Sequence, residues 1–234
     1  MNRERTVTAE AAEFFRSCLS STPLRRHAEL FDFDRVVSDQ ALKDCMLDGL
    51  ADFAVDLARW QLRFDEPKDL FERLLLAPQL EATYFYRVSH ACFLRDMKQV
   101  PQVIAALSRL LTGTEIYFSA EIKPGLKLIH GLGCVIGTGC RVGSDFTVYQ
   151  GVTIGDKLGK DTGKQPVIGD RVIVSAGAQV LGPVTIGSET VIGANSVVLD
   201  SVPERCVVAG VPAQVKIANL SDEAFGEFWA AIKG

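Results

Sequence analysis

The chain has 234 residues, 47% of them hydrophobic, enough apolar material for one large core or two modest ones. A formal net charge of -4 makes a nucleic-acid backbone a poor partner, and no apolar run approaches the roughly 20 residues a bilayer crossing needs. The opening MNRERTVTAEAAEFF lacks the apolar core of a secretory leader, and the six cysteines form no C-x-x-C pair, so a cytoplasmic protein with reduced, mostly buried thiols is expected.

Residues 1–112 read as a helical domain. Leu42, Met46, Leu50, Phe53, Leu57 and Leu62 recur at helical steps, as one apolar face would. Further dense apolar patterns run from Leu80 to Leu94 and from Val100 to Leu111. Pro67, Pro78 and Pro101 stand near the starts of these runs, and Gly113 closes the helical part.

From residue 113 to 217 the period changes to six. Aliphatic residues recur at Ile136, Val142, Val148 and Ile154, then at Ile168, Val174, Val180, Ile186, Ile192 and Val198. That spacing fits neither a 3.6-residue helix nor an alternating strand; it fits a solenoid with three short faces per coil and one inward aliphatic side chain per face. The expected fold class is therefore α+β: a helical domain followed by a parallel β-helix of hexapeptide repeats. Residues 218–234 form a tail. Within it, Ser221 to Ile232 is expected to be a short helix capped by Ser221 or Asp222, with Phe225, Phe228 and Trp229 on one side.

The rhythm breaks twice. Eight residues separate Leu128 from Ile136, and His130 sits among the two extra ones. Fourteen residues separate Ile154 from Ile168, so residues 156–166 are expected to project as a loop. Repeat folds concentrate such insertions on one face, often the binding face. His27 and His90, in the helical half, read as structural. A bulky ionisable ring is costly inside a narrow aliphatic coil, so His130 is expected to turn outward, as either a general base or a plain surface histidine. A base works best with its ring oriented by a carboxylate. Glu115, fifteen residues upstream, and Glu121 are both candidates by spacing. A zinc site of the three-histidine β-helix type is excluded, because this β-helix has one histidine, and no metal is expected.

The run LSRLLTGTEIYFSAEIKPGLKLIHGLGCVIG (107–137), with YQGVTIG (149–155), SAGAQVLGPVTIG (175–187), GANSVVL (193–199) and AGVPA (209–213), resembles the serine O-acetyltransferases, a branch of the hexapeptide-repeat acyltransferases. The likeness extends more weakly into the helices through DEP (65–67) and YRVSH (86–90). It implies a left-handed coil, a cytoplasmic homotrimer or dimer of trimers, and an active site between neighbouring subunits. It also implies acetyl-CoA as co-substrate with no permanently bound cofactor, and a role in cysteine biosynthesis. The family's T-G-x-E-I and base-bearing segments fall on Glu115 and His130, which favours Glu115 over Glu121. Asp65 matches, across a one-residue gap, the acid that helps hold the acceptor; otherwise it is a cap or turn residue beside Pro67. Gly155, Ala176 and Ala194 match positions where the pantetheine arm lies against the backbone, or else serve only as corners. Lys157, Lys160 and Lys164 either meet CoA phosphates or are simply solvated.

Two departures bear on the acceptor. Ile129 precedes His130 where the family has aspartate, and Lys164-Gln165-Pro166 stands where it has Arg-His-Pro. The resemblance thus implies acetyl transfer to serine or a related small hydroxy-amino acid, with His130 as base, Glu115 as its partner, and Asp65, Lys164 and Gln165 on the acceptor side. A sugar or polysaccharide hydroxyl is the alternative acceptor, and a catalytically silent scaffold is the alternative class. Family members often dock a cysteine-forming enzyme through a terminal Ile; here Lys233-Gly234 follows Ile232, so that complex is not implied.

Overall fold

The computed structural model describes residues 40–60, 74, 76–157 and 164–232. Asp65, Leu62, Pro67, Lys160, His27 and Cys18 lie outside the described residues. Three helices open the described part: α1 (Gln40–Ala58), α2 (Pro78–Leu94) and α3 (Val100–Thr112). α1 turns Leu42, Met46 and Phe53 inward, the face its apolar spacing specifies. It meets α2 at Gly49, where an added Cβ would stand 3.0 Å from the Val88 backbone nitrogen, so the small residue permits the close crossing. α2 is buried almost throughout, between α1 and α3. α3 ends at Gly113, whose left-handed φ of 67° and N–H to the Arg109 carbonyl form a C-cap.

A parallel β-helix follows at once. Its first face stacks β1 (Glu115–Ile116), β4 (Val135–Ile136), β7 (Thr153–Gly155), β10 (Gln179–Leu181) and β13 (Val197–Val198). The second stacks β2 (Glu121–Ile122), β5 (Arg141–Val142), β8 (Val167–Ile168) and β11 (Thr185–Ile186). The third stacks β3 (Lys127–Ile129), β6 (Thr147–Tyr149), β9 (Ile173–Val174), β12 (Val191–Ile192) and β14 (Val207–Ala209), and ends in the antiparallel β15 (Gln214–Ile217). The hexad aliphatics point inward and fill the coil.

The register records both breaks. Val135 pairs with Thr153, one ordinary eighteen-residue coil on, but Glu115 pairs with Val135, twenty residues on, and Arg141 with Val167, twenty-six on. The strands stay in step across both breaks. The five described cysteines are buried and free.

Two sets of contacts bind the ends of this solenoid to the rest. Arg87 and Asp56, both buried, pair at 2.8 Å, and Asp56 also accepts the backbone N–H groups of Gly125 and Leu126 at 2.8 and 2.7 Å. Tyr86 donates to the Ala120 carbonyl and accepts from Ile122 N–H. Together they weld α2 to the first coil. The tail helix, α4 (Asp222–Ala231), has Ser221 as its N-cap, accepting from Ala224 N–H at 3.1 Å. It lies on the third face, with Leu220, Phe225 and Ile232 against Ile173 and Val191. Lys127 Nζ donates to the Ile232 carbonyl at 2.5 Å, and Arg59 lies over the Trp229 ring at 4.7 Å. Of the three aromatics, Phe225 is buried and stacks on Trp229, while Phe228 is 37% exposed. At i, i+3 and i+4 the three share one side of the helix, with Phe228 at its edge. Among the described residues no helix is long and apolar enough to cross a membrane.

Candidate active site

His130 follows β3 at the corner where the third face turns into the first, and its side chain is exposed. Gly131 N–H donates to the Ile129 carbonyl at 2.8 Å, closing a three-residue turn with His130 at its centre and φ at +64°. A turn of this hand is rare and strained for a residue bearing a Cβ. Positive φ also recurs at Asp145, Arg171, Glu189 and Arg205, coil by coil at the corner between the second and third faces, and at Asn195 on the same corner as His130. His130 belongs to the two-residue insertion, and among the described non-glycine residues with positive φ it alone centres an i-to-i+2 hydrogen bond. Strain of this kind persists only where surrounding contacts over-determine it.

Those contacts are visible on both sides. Ahead of the ring, Ile129 pairs with Tyr149 in the sheet and packs against the cluster under α4. Behind it, Thr114 Oγ1 donates to the Gly131 carbonyl at 3.0 Å, and Gly133 N–H donates to the Gly113 carbonyl at 2.9 Å. Sequence reasoning passed over Thr114. Its signal was a hydroxyl at the inward corner position that Cys134, Val152 and Ala178 occupy in later coils.

Glu115, the next residue, begins β1 and is half-buried beside a cavity of about 150 Å³ that Arg109, Tyr117 and Phe118 also line. Its Oε2 accepts from Arg109 at 3.2 Å. The backbones of the 114–115 and 130–131 segments meet at one corner, yet among the described residues no hydrogen bond joins the His130 ring to Glu115. Glu121 stands on the second face, where a cavity of about 410 Å³ is lined by His90, Lys123, Arg141 and Asp170 as well. His90 Nδ1 bonds the Phe118 carbonyl at 2.8 Å and its ring stacks on Tyr86, a satisfied structural histidine.

Above His130 the same corner continues coil by coil. Gly151 N–H donates to the Leu132 carbonyl, Gly177 N–H to Gln150 and Asn195 N–H to Ala176, so Leu132, Gln150, Ala176 and Ala194 form a ladder. Ala176 is half-buried and Ala194 exposed, leaving a narrow edge two coils long. Gly155 lies elsewhere: buried at the far edge of the first face, with its carbonyl occupied by Gly182 N–H. Lys164 is exposed, and Gln165, half-buried, has an Oε1 with no hydrogen-bond partner. The structure therefore gathers His130, Ala176 and Ala194 on one corner and sets Gly155 apart from them.

Burial pushes the Cys134 and Cys140 thiols up to about 11, so neither is a thiolate nucleophile near neutral pH. Among the described residues no group of histidine, cysteine or carboxylate side chains is placed to hold a metal. The corner thus carries an exposed imidazole beside a narrow edge.

The bacterial transferase hexapeptide signature (six repeats) matches residues 165–200. A serine acetyltransferase of Helicobacter pylori strain J99 is 39% identical over 166 residues, covering 70% of this chain and 96% of that protein. One from Synechococcus elongatus is 43% identical over 145 residues, 62% of this chain but only 59% of the relative's length. Among solved structures, the Neisseria gonorrhoeae serine acetyltransferase in complex with serine superposes with a TM-score of 0.64 at 30% identity, covering 88% of this chain and 81% of that one. The Brucella abortus serine acetyltransferase in complex with coenzyme A gives a TM-score of 0.63 at 25% identity, covering 89% and 74%.

Proposed function

The chain belongs to the serine acetyltransferase family, and from that membership we propose that it is an acetyl-CoA-dependent O-acetyltransferase whose general base is His130. The relatives solved with serine and with coenzyme A support both substrates. The observation that carries the assignment of the base is the strained, exposed turn at His130, on the corner that Ala176 and Ala194 keep narrow.

In the proposed reaction the His130 imidazole takes the proton of the acceptor hydroxyl as its oxygen bonds to the thioester carbonyl carbon. The tetrahedral intermediate then collapses, the carbon–sulfur bond breaks, and the imidazolium returns the proton to the leaving CoA thiolate. Glu115 stabilises the imidazolium. Its present partner, Arg109, is a 63% exposed side chain, and surface pairs of this kind are worth about 0–1 kcal/mol, so the carboxylate changes partner cheaply. The pantetheine arm runs along Ala176 and Ala194. In a trimer, Gly155 and Gln165 on the opposite edge of the first face meet the same arm and acceptor from the neighbouring subunit. The first face carries half-buried Val135 and Val197, which such packing covers.

Serine is the proposed acceptor, with homoserine and nucleotide sugars as the comparisons that define its selectivity. Ile129, packed against the α4 cluster, offers the acceptor no charge. A positioned base contributes about 100- to 10,000-fold, so His130→Ala loses activity in that range while still binding acetyl-CoA. Turnover near the wild-type level in that variant sinks the assignment of the base.

A further inference from the structure

We propose that Thr114 is a positioning residue for His130, holding the strained turn through its bond to the Gly131 carbonyl. The inference rests on the reading of His130 as the base. Three observations meet at this point. Thr114 is 1% exposed, and its Oγ1 donates to the Gly131 carbonyl at 3.0 Å, one peptide beyond the imidazole-bearing residue. Gly131 has φ +75°, and a Cβ there would stand 3.1 Å from the same hydroxyl, so the contact is close as well as directional. The turn it braces has a non-glycine residue at φ +64°.

The hydroxyl opposes relaxation of this turn. For φ of His130 to relax, the Gly131 peptide plane must rotate, and that rotation pulls its carbonyl off Thr114. Cys134 N–H donates to the same carbonyl at 2.9 Å, so the oxygen is held from two sides, and because Gly131 is buried no solvent takes the place of the hydroxyl if that bond is lost. Thr114 is itself fixed: its N–H donates to Thr112 Oγ1 at 3.2 Å, within the α3 cap, and the next N–H, that of Glu115, donates to the Cys134 carbonyl. A rigid helix end thus helps set the aim of the imidazole, its hydroxyl acting beside the Cys134 N–H on one carbonyl. An error of about 1 Å in such aim costs on the order of 100-fold in rate.

The test is a three-variant comparison on the full chain, reading kcat and acetyl-CoA affinity separately. Thr114→Ser keeps the hydroxyl and loses the methyl; Thr114→Val keeps the methyl and loses the hydroxyl; Thr114→Ala loses both. Positioning groups Val with Ala: both drop kcat by roughly 10- to 100-fold with acetyl-CoA affinity unchanged, while Ser turns over like wild type. A purely packing role groups Ser with Ala and leaves Val active, and that pattern overturns the inference. Having two variants without the hydroxyl, one of them smaller than the native side chain, keeps the comparison readable if one folds poorly. His130→Asn, assayed alongside, separates the two levels. If it retains turnover, the base itself is misassigned; if it is inactive while Thr114→Val is fully active, only the role of Thr114 falls.

Discussion

A glycine would adopt the backbone of His130 more cheaply than an imidazole-bearing residue does. Left-handed φ costs an L-residue roughly 1–2 kcal/mol, so His130→Gly should be more stable than His130→Ala by about 1 kcal/mol, although both lack the base. Urea midpoints decide this; a glycine variant less stable than the alanine one would mean the turn is relaxed. Glu81 makes a second prediction of the same kind. Burial pushes its carboxyl up to about 7, so the folded state holds a proton that the unfolded chain releases above the ordinary carboxylate range. A group with a raised folded pKa binds more protons when native, and its contribution to stability falls as pH rises from about 4.5 to 7. Glu81→Gln should therefore raise the melting temperature at pH 8 and leave it nearly unchanged at pH 4.5. Equal shifts at both pH values would show that Glu81 ionises freely.

At the level of elements, legibility followed periodicity. The six-residue rhythm specified one inward aliphatic per face, a steric requirement of a narrow prism, but not the second inward position two residues earlier, where Leu126, Val152, Val172 and Val184 lie. The slip at His130 and the excess before Ile168 were readable as departures from that period. Helical spacing likewise placed Leu42, Met46 and Phe53 on one face. What the spacing did not carry was long-range chemistry: the Asp56–Arg87 pair closing on Gly125 and Thr114 reaching Gly131 each join segments that no period relates. Within the candidate site, the position of His130 at an outward corner was legible, whereas the separation of Gly155 from Ala176 and Ala194 was not. That separation depends on which corner each coil turns, which residue type does not reveal. The Asp56–Arg87 pair also has an energetic consequence. Removing one partner of a buried ion pair costs about 3–5 kcal/mol because the other charge is left uncompensated. Arg87→Met should therefore destabilise the protein by about that amount, and adding Asp56→Leu should not restore it, because the buried Gly125 and Leu126 N–H groups then lose their acceptor; calorimetry of the two variants checks both.

Over the whole molecule, a β-helix is nearly one-dimensional: each coil touches only its neighbours, so an unbraced end frays independently. Here the braces run lengthwise. α4, about 15 Å long for its ten residues, spans about three coil spacings of ~4.8 Å along the third face. At its start Arg205 Nε donates to the Leu220 carbonyl and Phe225 packs near Ile173 and Val191; at its end Ile232 accepts from Lys127 in the first coil and Trp229 sits under Arg59. The last coils, the first coil and the end of α1 are thus tied by one helix, and unfolding any of them strips apolar area from the others. Phe225→Ala removes the buried contact at the start of that tie and should cost about 3–5 kcal/mol. Because the tie is loosened at its last-coil end, the variant should also unfold in two steps where the wild type unfolds in one, with hydrogen exchange in β14 rising before that in β6. A single transition displaced to lower temperature, with exchange rising together in both strands, would mean that the coils hold one another without the strap.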